Sequence, residues 1–331
     1  MQIGYEQALK IYKQLKNTEK CPSHHPFYLL IDAKRNPELK PIFFVYEKNG
    51  EVFFNSFHMS RVPDSDYFDL QSPYGYGGPI ATTEDEAFLE RAWLEYEKWC
   101  RTNGVLAEFV RFHPILENWR YYGGEVIQDR STVWVDLNKE DMMLGYQSRV
   151  RNMIRKAKKN DLHIEWTDAT EFFRWFPKLY QDLMVSIGAD DFYLFSNEYY
   201  DSWKSVFGAS YCLCKLNDEV IGASIFFDNE FIMEYHLSAS NEVAKKLAGT
   251  TLMIHEAALR AKERGCQRLH LGGGTNSNPD NALLYFKAGF SDKKADFRIG
   301  KCIHMPEEYR SLKNKWEQKT GLTSNRVLFY R

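Results

Sequence analysis

Glu234, His236 and Ser238 fall at alternate positions of the apolar run 231–238, so a regular strand there presents all three on one face. A carboxylate and an imidazole are costly inside an apolar sheet unless paired or wet, and in a cleft they could act as a general base. Slipping the register by one residue would present Tyr235 instead, so Tyr235 competes with Glu234 and His236 for that role. Downstream, the apolar run Leu269–Leu271 leads into Gly272-Gly273-Gly274-Thr275. Such glycines let a ligand approach the backbone closely, and their N–H groups could hold an anion or a developing oxyanion. The following segment, 281–290, reads as a short helix stopping at Gly289 and carrying Tyr285, Phe286 and Lys287. A tyrosine hydroxyl, with an ordinary pKa of about 10, suits protonation of a leaving thiolate or alkoxide. A lysine beside it could polarise a carbonyl or hold a phosphate.

Two further groupings suggest anion and ring recognition. Arg149 to Lys159 contains six basic residues in eleven and no acid, with Val150, Ile154 and Ala157 spaced for one apolar helix face. In a chain of net charge −2 this patch points to a local anionic ligand, Arg149 and Arg151 standing first in it. The loop Tyr74-Gly-Tyr76-Gly-Gly78-Pro79 interleaves glycine with aromatic rings and reads as a flexible lip for a sugar or peptide. Arg111, at the end of the strand 105–112, could clamp a carboxylate or phosphate.

Familiar motifs fail on inspection. His255-Glu256 has Leu259 where a metalloprotease helix needs its second histidine, and Gly222-Ala-Ser224-Ile-Phe226 lacks the closing glycine of a nucleophile elbow. The three glycines at 272–274 lack the Lys-Ser/Thr of a P-loop, and His24-His25 reads as a polar loop. The six cysteines contain no C-x-x-C, and Cys212 and Cys214 would share a strand face, so neither a disulfide framework nor a metal site is expected. Basic and acidic residues number 43 and 45, which argues against a dedicated DNA-binding protein. The start has no basic region followed by an apolar stretch, and no apolar run approaches ~18 residues. A cytoplasmic location with at most peripheral membrane contact is the expectation.

The elements that would carry these residues alternate along the chain. Helices are expected over 5–17, 83–100, 141–160, 170–187, 243–264, 280–288 and 306–319. Strands are expected at 41–47 and 52–57 around an Asn49-Gly50 hairpin turn, and at 105–112, 126–137, 162–166, 211–216, 220–227, 231–238, 268–271 and 295–303. Thr83 with Glu86 suggests a capping box. Mixed helices and strand hairpins over 331 residues imply an α/β or α+β chain with mixed sheets, in about two domains.

In this order, a basic helix, three strands, a long helix, a glycine-rich strand end and Leu283-Leu-Tyr-Phe-Lys-Ala-Gly-Phe290, the chain resembles the FemABX-type branch of the GNAT acyltransferase superfamily. The resemblance implies two tandem GNAT-like domains, an acceptor-side domain over 1–135 and a donor and catalytic domain over 136–331. It implies transfer of an acyl group to an amine, with no permanently bound cofactor. Phe286-Lys287 matches the Phe-Lys pair of the peptidyltransferases, where the lysine positions the donor ester. Tyr285 stands where acetyl-CoA enzymes carry their general-acid tyrosine. Lys246-Leu-Ala-Gly249-Thr250-Thr matches the pyrophosphate loop in part, and Thr82 replaces the aspartate of the peptidoglycan ligases. The resulting expectation is an N-acyltransferase with Glu234 or His236 as base, Tyr285 as acid and Lys287 as donor anchor. Lys246, Gly249, Thr250, Gly273 and Phe286 would bind the donor, and Tyr74, Tyr76, Gly78, Arg111, Arg149 and Arg151 the acceptor. The donor is acyl-CoA, narrowly favoured, or aminoacyl-tRNA. The acceptor is an amino group on a small or lipid- or nucleotide-linked sugar or peptide of the cell envelope. A catalytically inactive glycan- or peptide-binding module is the alternative of another class.

Overall fold

The computed structural model describes residues 1–190 and 193–331. The chain forms two compact units, Met1–Asp129 with Asp296–Arg331, and Arg130–Ala295. The first opens with β1 (Gln2–Ile3), α1 (Tyr5–Gln14) and α2 (Pro26–Asp32). It continues with β2 (Lys40–Lys48), β3 (Glu51–Arg61), β4 (Phe68–Gln71), β5 (Ile80–Ala81), α3 (Glu86–Thr102) and β6 (Val105–Arg111). Strand β7 (Glu125–Asp136) leads into the second unit. There follow α4 (Ser148–Lys159), β8 (His163–Thr167), α5 (Ala169–Ser186), α6 (Asn197–Trp203), β9 (Ala209–Leu216) and β10 (Glu219–Asp228). Next come β11 (Ile232–Ser240), α7 (Glu242–Lys246), α8 (Gly249–Glu263), β12 (Arg268–Gly273) and α9 (Ala282–Lys287). The chain ends in β13 (Lys294–Ile303) and α10 (Pro306–Thr320).

Each unit repeats one plan. In the first, β2, β3 and β4 form an antiparallel meander, and α3 crosses over to β6, which runs parallel to β4. In the second, β9, β10 and β11 form the meander, and α7 and α8 cross over to β12, parallel to β11. A parallel neighbour needs such a crossover, whereas the meanders turn tightly. The last strand differs in origin: β13 pairs with β6, and β7 with β12. Residues 296–331 therefore belong with the first unit rather than with one contiguous second half. Strand pairing to β6, and the packing of Tyr309, Val327, Leu328 and Phe329 on Val62, Leu106 and Ala107, outweigh sequence proximity here.

Local chemistry explains most elements. Asn49 and Gly50 both take positive φ, +54° and +85°, the backbone a two-residue hairpin turn demands. Helix α4 buries Val150, Ile154 and Ala157 and turns its cations outward. Its expected first turn is instead a separate 3-10 turn at Met142–Gly145. Helix α3 begins two residues beyond the expected cap: Asp85 accepts from Phe88 N–H at 2.7 Å, while Thr83 only holds Asp85 N–H. The expected helix 243–264 is broken at Ala248, which takes φ +65° and starts α8 afresh. Helix α6 lies outside every expected element; it is short and buries Tyr199, Tyr200 and Trp203, residues whose bulk is equally at home in a strand. Among the described residues no helix is long and apolar enough to cross a membrane.

Candidate functional site

The second unit's sheet opens where its parallel strands part. β11 pairs with β12 over Ile232–Glu234 against Arg268–His270, and the pairing stops there although both strands continue. On its other edge β11 slips against β10: Tyr235 lies opposite Phe226 and Leu237 opposite Ile225, leaving His236 as the extra residue of a bulge. A bulge re-aims side chains and bends the strand. Its effect is to break the expected alternation. Glu234, opposite Phe227, and His236, ringed by Phe227 and Trp203 at 5.1 and 4.7 Å, share one face. Ser238 moves to the other, where its hydroxyl meets Ser224 Oγ at 2.7 Å beside Met253 of α8. Tyr235 lies on this second face, stacked on Phe226.

Lys287 of α9 reaches the same face as Tyr235. Its Nζ donates to Gly273 O at 2.8 Å and lies 6.0 Å from the Tyr235 ring centre. Only 8% of Lys287 is exposed, and this desolvation lowers its pKa to about 7. Burial raises the Tyr235 phenol to about 12, against hydrogen bonds with Ser238 and Ser224 that favour its ionised form. Asn281 ties the glycine loop to α9: its Oδ1 accepts from Leu283 and Leu284 N–H, and its Nδ2 donates to Thr275 Oγ1 at 2.7 Å. A side chain at Gly274 would collide with Asn281 Oδ1 at 2.5 Å, so the close approach requires glycine. Phe286 packs edge-on against Phe290.

The opposite face carries a second titratable pair. Glu234 Oε2 lies 3.7 Å from His270 Nδ1, both nearly buried, on strands that place the two residues directly opposite. Sequence reasoning missed His270 because its partner lies on a strand more than thirty residues away; only the register reveals it. The remaining expected residues are distributed as follows. Tyr285 is exposed, its ring covered by the Arg149 guanidinium at 3.8 Å, and Arg149 also donates to Tyr285 O. Arg151 donates to Tyr146 O and Ser148 Oγ. Both arginines thus already have partners at the start of α4. Lys246 O accepts from Lys156 Nζ at 2.8 Å, and Thr250 Oγ1 donates to Ser240 Oγ at 3.3 Å. Gly249 is buried; a Cβ there would meet Cys214 Sγ at 3.0 Å and Ala244 Cβ at 3.1 Å, so packing itself calls for glycine. No side chain caps α8, whose leading N–H groups lack intrahelical acceptors.

In the first unit the tyrosine loop is held on every side, in contrast to the flexible lip expected. Tyr28 hydroxyl donates to Tyr74 O at 2.7 Å, and Tyr74 N–H donates to Asp32 Oδ2 at 2.9 Å. Asn118 Nδ2 donates to Gly77 O and Pro79 O, and His24 Nε2 donates to Gly78 O at 3.1 Å. Arg111 uses its guanidinium on Pro73 O and its backbone N–H on Ser72 Oγ. Gly78 takes φ +90° with Phe112 and Val110 pressed where a side chain would stand. Tyr76 packs edge-on against His113 and Phe297. Beneath the loop Asp32 is fully buried. Burial opposes its ionisation, but Arg35, in a two-pronged ion pair, and His58 at 2.9 Å outweigh this and hold its pKa well below the carboxylate range.

Residues 146–294 match the family model described as "Acetyltransferase (GNAT) domain". No curated protein matches the chain. Among solved structures, FemX is similar with a TM-score of 0.72 at 14% identity, over 94% of this chain and 98% of that one. The C-terminal domain of a putative lysylphosphatidylglycerol synthetase from Agrobacterium fabrum gives 0.63 at 12%, over 97% and 98%. L-PGS from Bacillus licheniformis gives 0.59 at 14%, over 82% and 85%. The fold is therefore that of the GNAT acyltransferases in its FemABX-like form, a mixed α/β chain built on mixed sheets.

Proposed function

We propose that this chain is an N-acyltransferase that holds a donor carbonyl in the gap between β11 and β12 and passes the acyl group to an amine. The observation that carries this reading is Lys287, a buried amine bonded to Gly273 O at the mouth of that gap. Burying an ammonium with one carbonyl partner is unfavourable, which makes sense if a polar ligand completes its surroundings. A gap between strands also reaches both faces of the sheet. Donor groups held by Lys287 and Phe286 and an amine approaching the Glu234–His270 face can then meet at one carbon.

In this reading the acceptor nitrogen attacks the donor carbonyl carbon, and backbone N–H groups along the gap stabilise the tetrahedral oxyanion. Glu234 takes the amine proton, with His270 orienting its carboxylate and His236 as the neighbouring candidate base. The bond from carbon to the leaving sulfur or oxygen then breaks, and Tyr285, exposed on α9, returns a proton to the leaving group. Acyl-CoA is the preferred donor, its phosphates resting on the start of α8 around Lys246, Gly249 and Thr250. Taken by itself, the first unit's pinned loop with Tyr74, Tyr76 and Gly78, with Arg111 beside it, is a surface on which the ring of a sugar or peptide of the cell envelope can pack. Arg149 and Arg151 would serve an anionic group only by exchanging their present partners.

One observation favours aminoacyl-tRNA instead: the outward cations of α4 make a surface suited to a nucleic-acid backbone. Binding measured as a function of salt separates the two. Acyl-CoA affinity through a few phosphates falls gently with salt, whereas tRNA affinity falls steeply, in proportion to the phosphates neutralised. Saturable binding of neither donor would overturn the reading and favour an inactive binding module.

A further inference from the structure

We propose that the first unit holds one zinc-class divalent cation between α3 and the end of β13, bound by Glu97, Cys302 and His304. The ligand atoms, a Glu97 carboxylate oxygen, Cys302 Sγ and a His304 ring nitrogen, all lie within 4.8 Å of one another. Cys302 Sγ and His304 Nδ1 are 3.7 Å apart. Donors on a tetrahedral zinc, with bonds of about 2.0–2.3 Å, stand roughly 3.5 Å apart, so this pair is already spaced for one ion and Glu97 needs only a small closure. Thiolate, imidazole and carboxylate together form a mixed donor set that suits zinc and excludes magnesium or calcium.

The surroundings support a built site. With Nδ1 facing Cys302, the far nitrogen of His304 faces Glu108, Nε2 to Oε1 at 3.6 Å, and neither of these buried atoms has a hydrogen-bond partner of normal length. The Tyr96 hydroxyl donates to the other Glu108 oxygen at 2.7 Å. This is the order in which a metal-bound histidine is oriented: metal, imidazole, carboxylate, then a group fixing the carboxylate. Glu108 and Cys302 are directly opposite on β6 and β13. Glu97 and Cys302 are only half-buried, which gives an ion a path from solvent. Glu97 has a long 3.6 Å pair with the exposed Arg101, a weak competitor for its carboxylate. Two elements distant in sequence, α3 and the end of β13, would be tied by the ion, a structural role, with water in the fourth position.

Cobalt(II) added to the chelator-treated full chain tests the site through the thiolate-to-metal absorption band. The expected result is one saturable equivalent, displaced by zinc, with the band abolished in Cys302→Ser and retained in Cys266→Ser. Should Cys302→Ser fail to fold, Glu97→Gln decides, since its half-exposed side chain leaves the core intact; the expected cobalt Kd rises at least tenfold. No saturable cobalt binding, a band that survives Cys302→Ser, or an unchanged Kd in Glu97→Gln would overturn the proposal.

Discussion

Replacing Lys287 by Met should stabilise the protein in acid far more than in base. Burial lowers this amine from 10.5 to about 7, a difference of about 5 kcal/mol at 1.36 kcal/mol per unit, taken as an upper figure. The sign follows from proton binding. Below about pH 7 the folded state must carry a buried ammonium, and the full penalty applies. Between about 7 and 10.5 the folded amine is neutral while the unfolded one is still charged, so stability rises with pH. By about pH 9 roughly 2 kcal/mol of the penalty remains. Methionine keeps most of the length of the side chain without the charge or the bond to Gly273 O. The stability gap between Lys287→Met and the parent should therefore shrink by about 3 kcal/mol between about pH 6 and pH 9. For a unit of this size that is roughly 6–12 °C in the difference between thermal midpoints. Paired melts at the two pH values measure it. A gap that stays constant would refute the claim that Lys287 is a desolvated amine titrating near neutrality, and with it the case for a ligand beside it.

Three other outcomes are expected. Asp32→Asn should cost about 3–5 kcal/mol near neutral pH, because it leaves Arg35 and His58 facing a neutral group. The contribution of Asp32 is present above the ordinary carboxylate pKa and is lost as pH falls below about 4, so acid denaturation of the variant should lack that component. Gly78→Ala forces a side chain into φ +90° and to within 2.8 Å of Phe112, and urea titration should show a loss of more than about 1–3 kcal/mol. The two tyrosines should separate: Tyr285→Phe should slow acyl transfer about 100-fold with little change in melting, whereas Tyr235→Phe should mainly lower stability, by about 1 kcal/mol, as Ser224 and Ser238 keep each other as partners.

What could be read from residue order was local. Asn49-Gly50 declares its turn through backbone preference, and the apolar spacing of Val150, Ile154 and Ala157 declares the buried face of α4. What escaped depended on partners far away in sequence. The phase of β11 is set by a bulge against β10, and one inserted residue at His236 moves Ser238 to the face of Tyr235. Ala248 has no intrinsic liking for positive φ, and its break comes where Gly249 packs closely on Cys214 and Ala244, contacts invisible in the local pattern. The Asp32–His58 pair spans 26 residues and becomes visible only when α2 lies beside β3. The return of β13 to β6 likewise rests on strand pairing that no local pattern encodes.

The central claim is that an acyl donor binds at the parting of β11 and β12 beside Lys287. Calorimetric titration of the full chain with acetyl-CoA in moderate salt, and with charged tRNA in parallel, tests it most directly. The account predicts saturable binding of one donor, weakened at least tenfold in Lys287→Met while the variant stays folded. Binding of equal strength in Lys287→Met, or binding of neither donor, would contradict it.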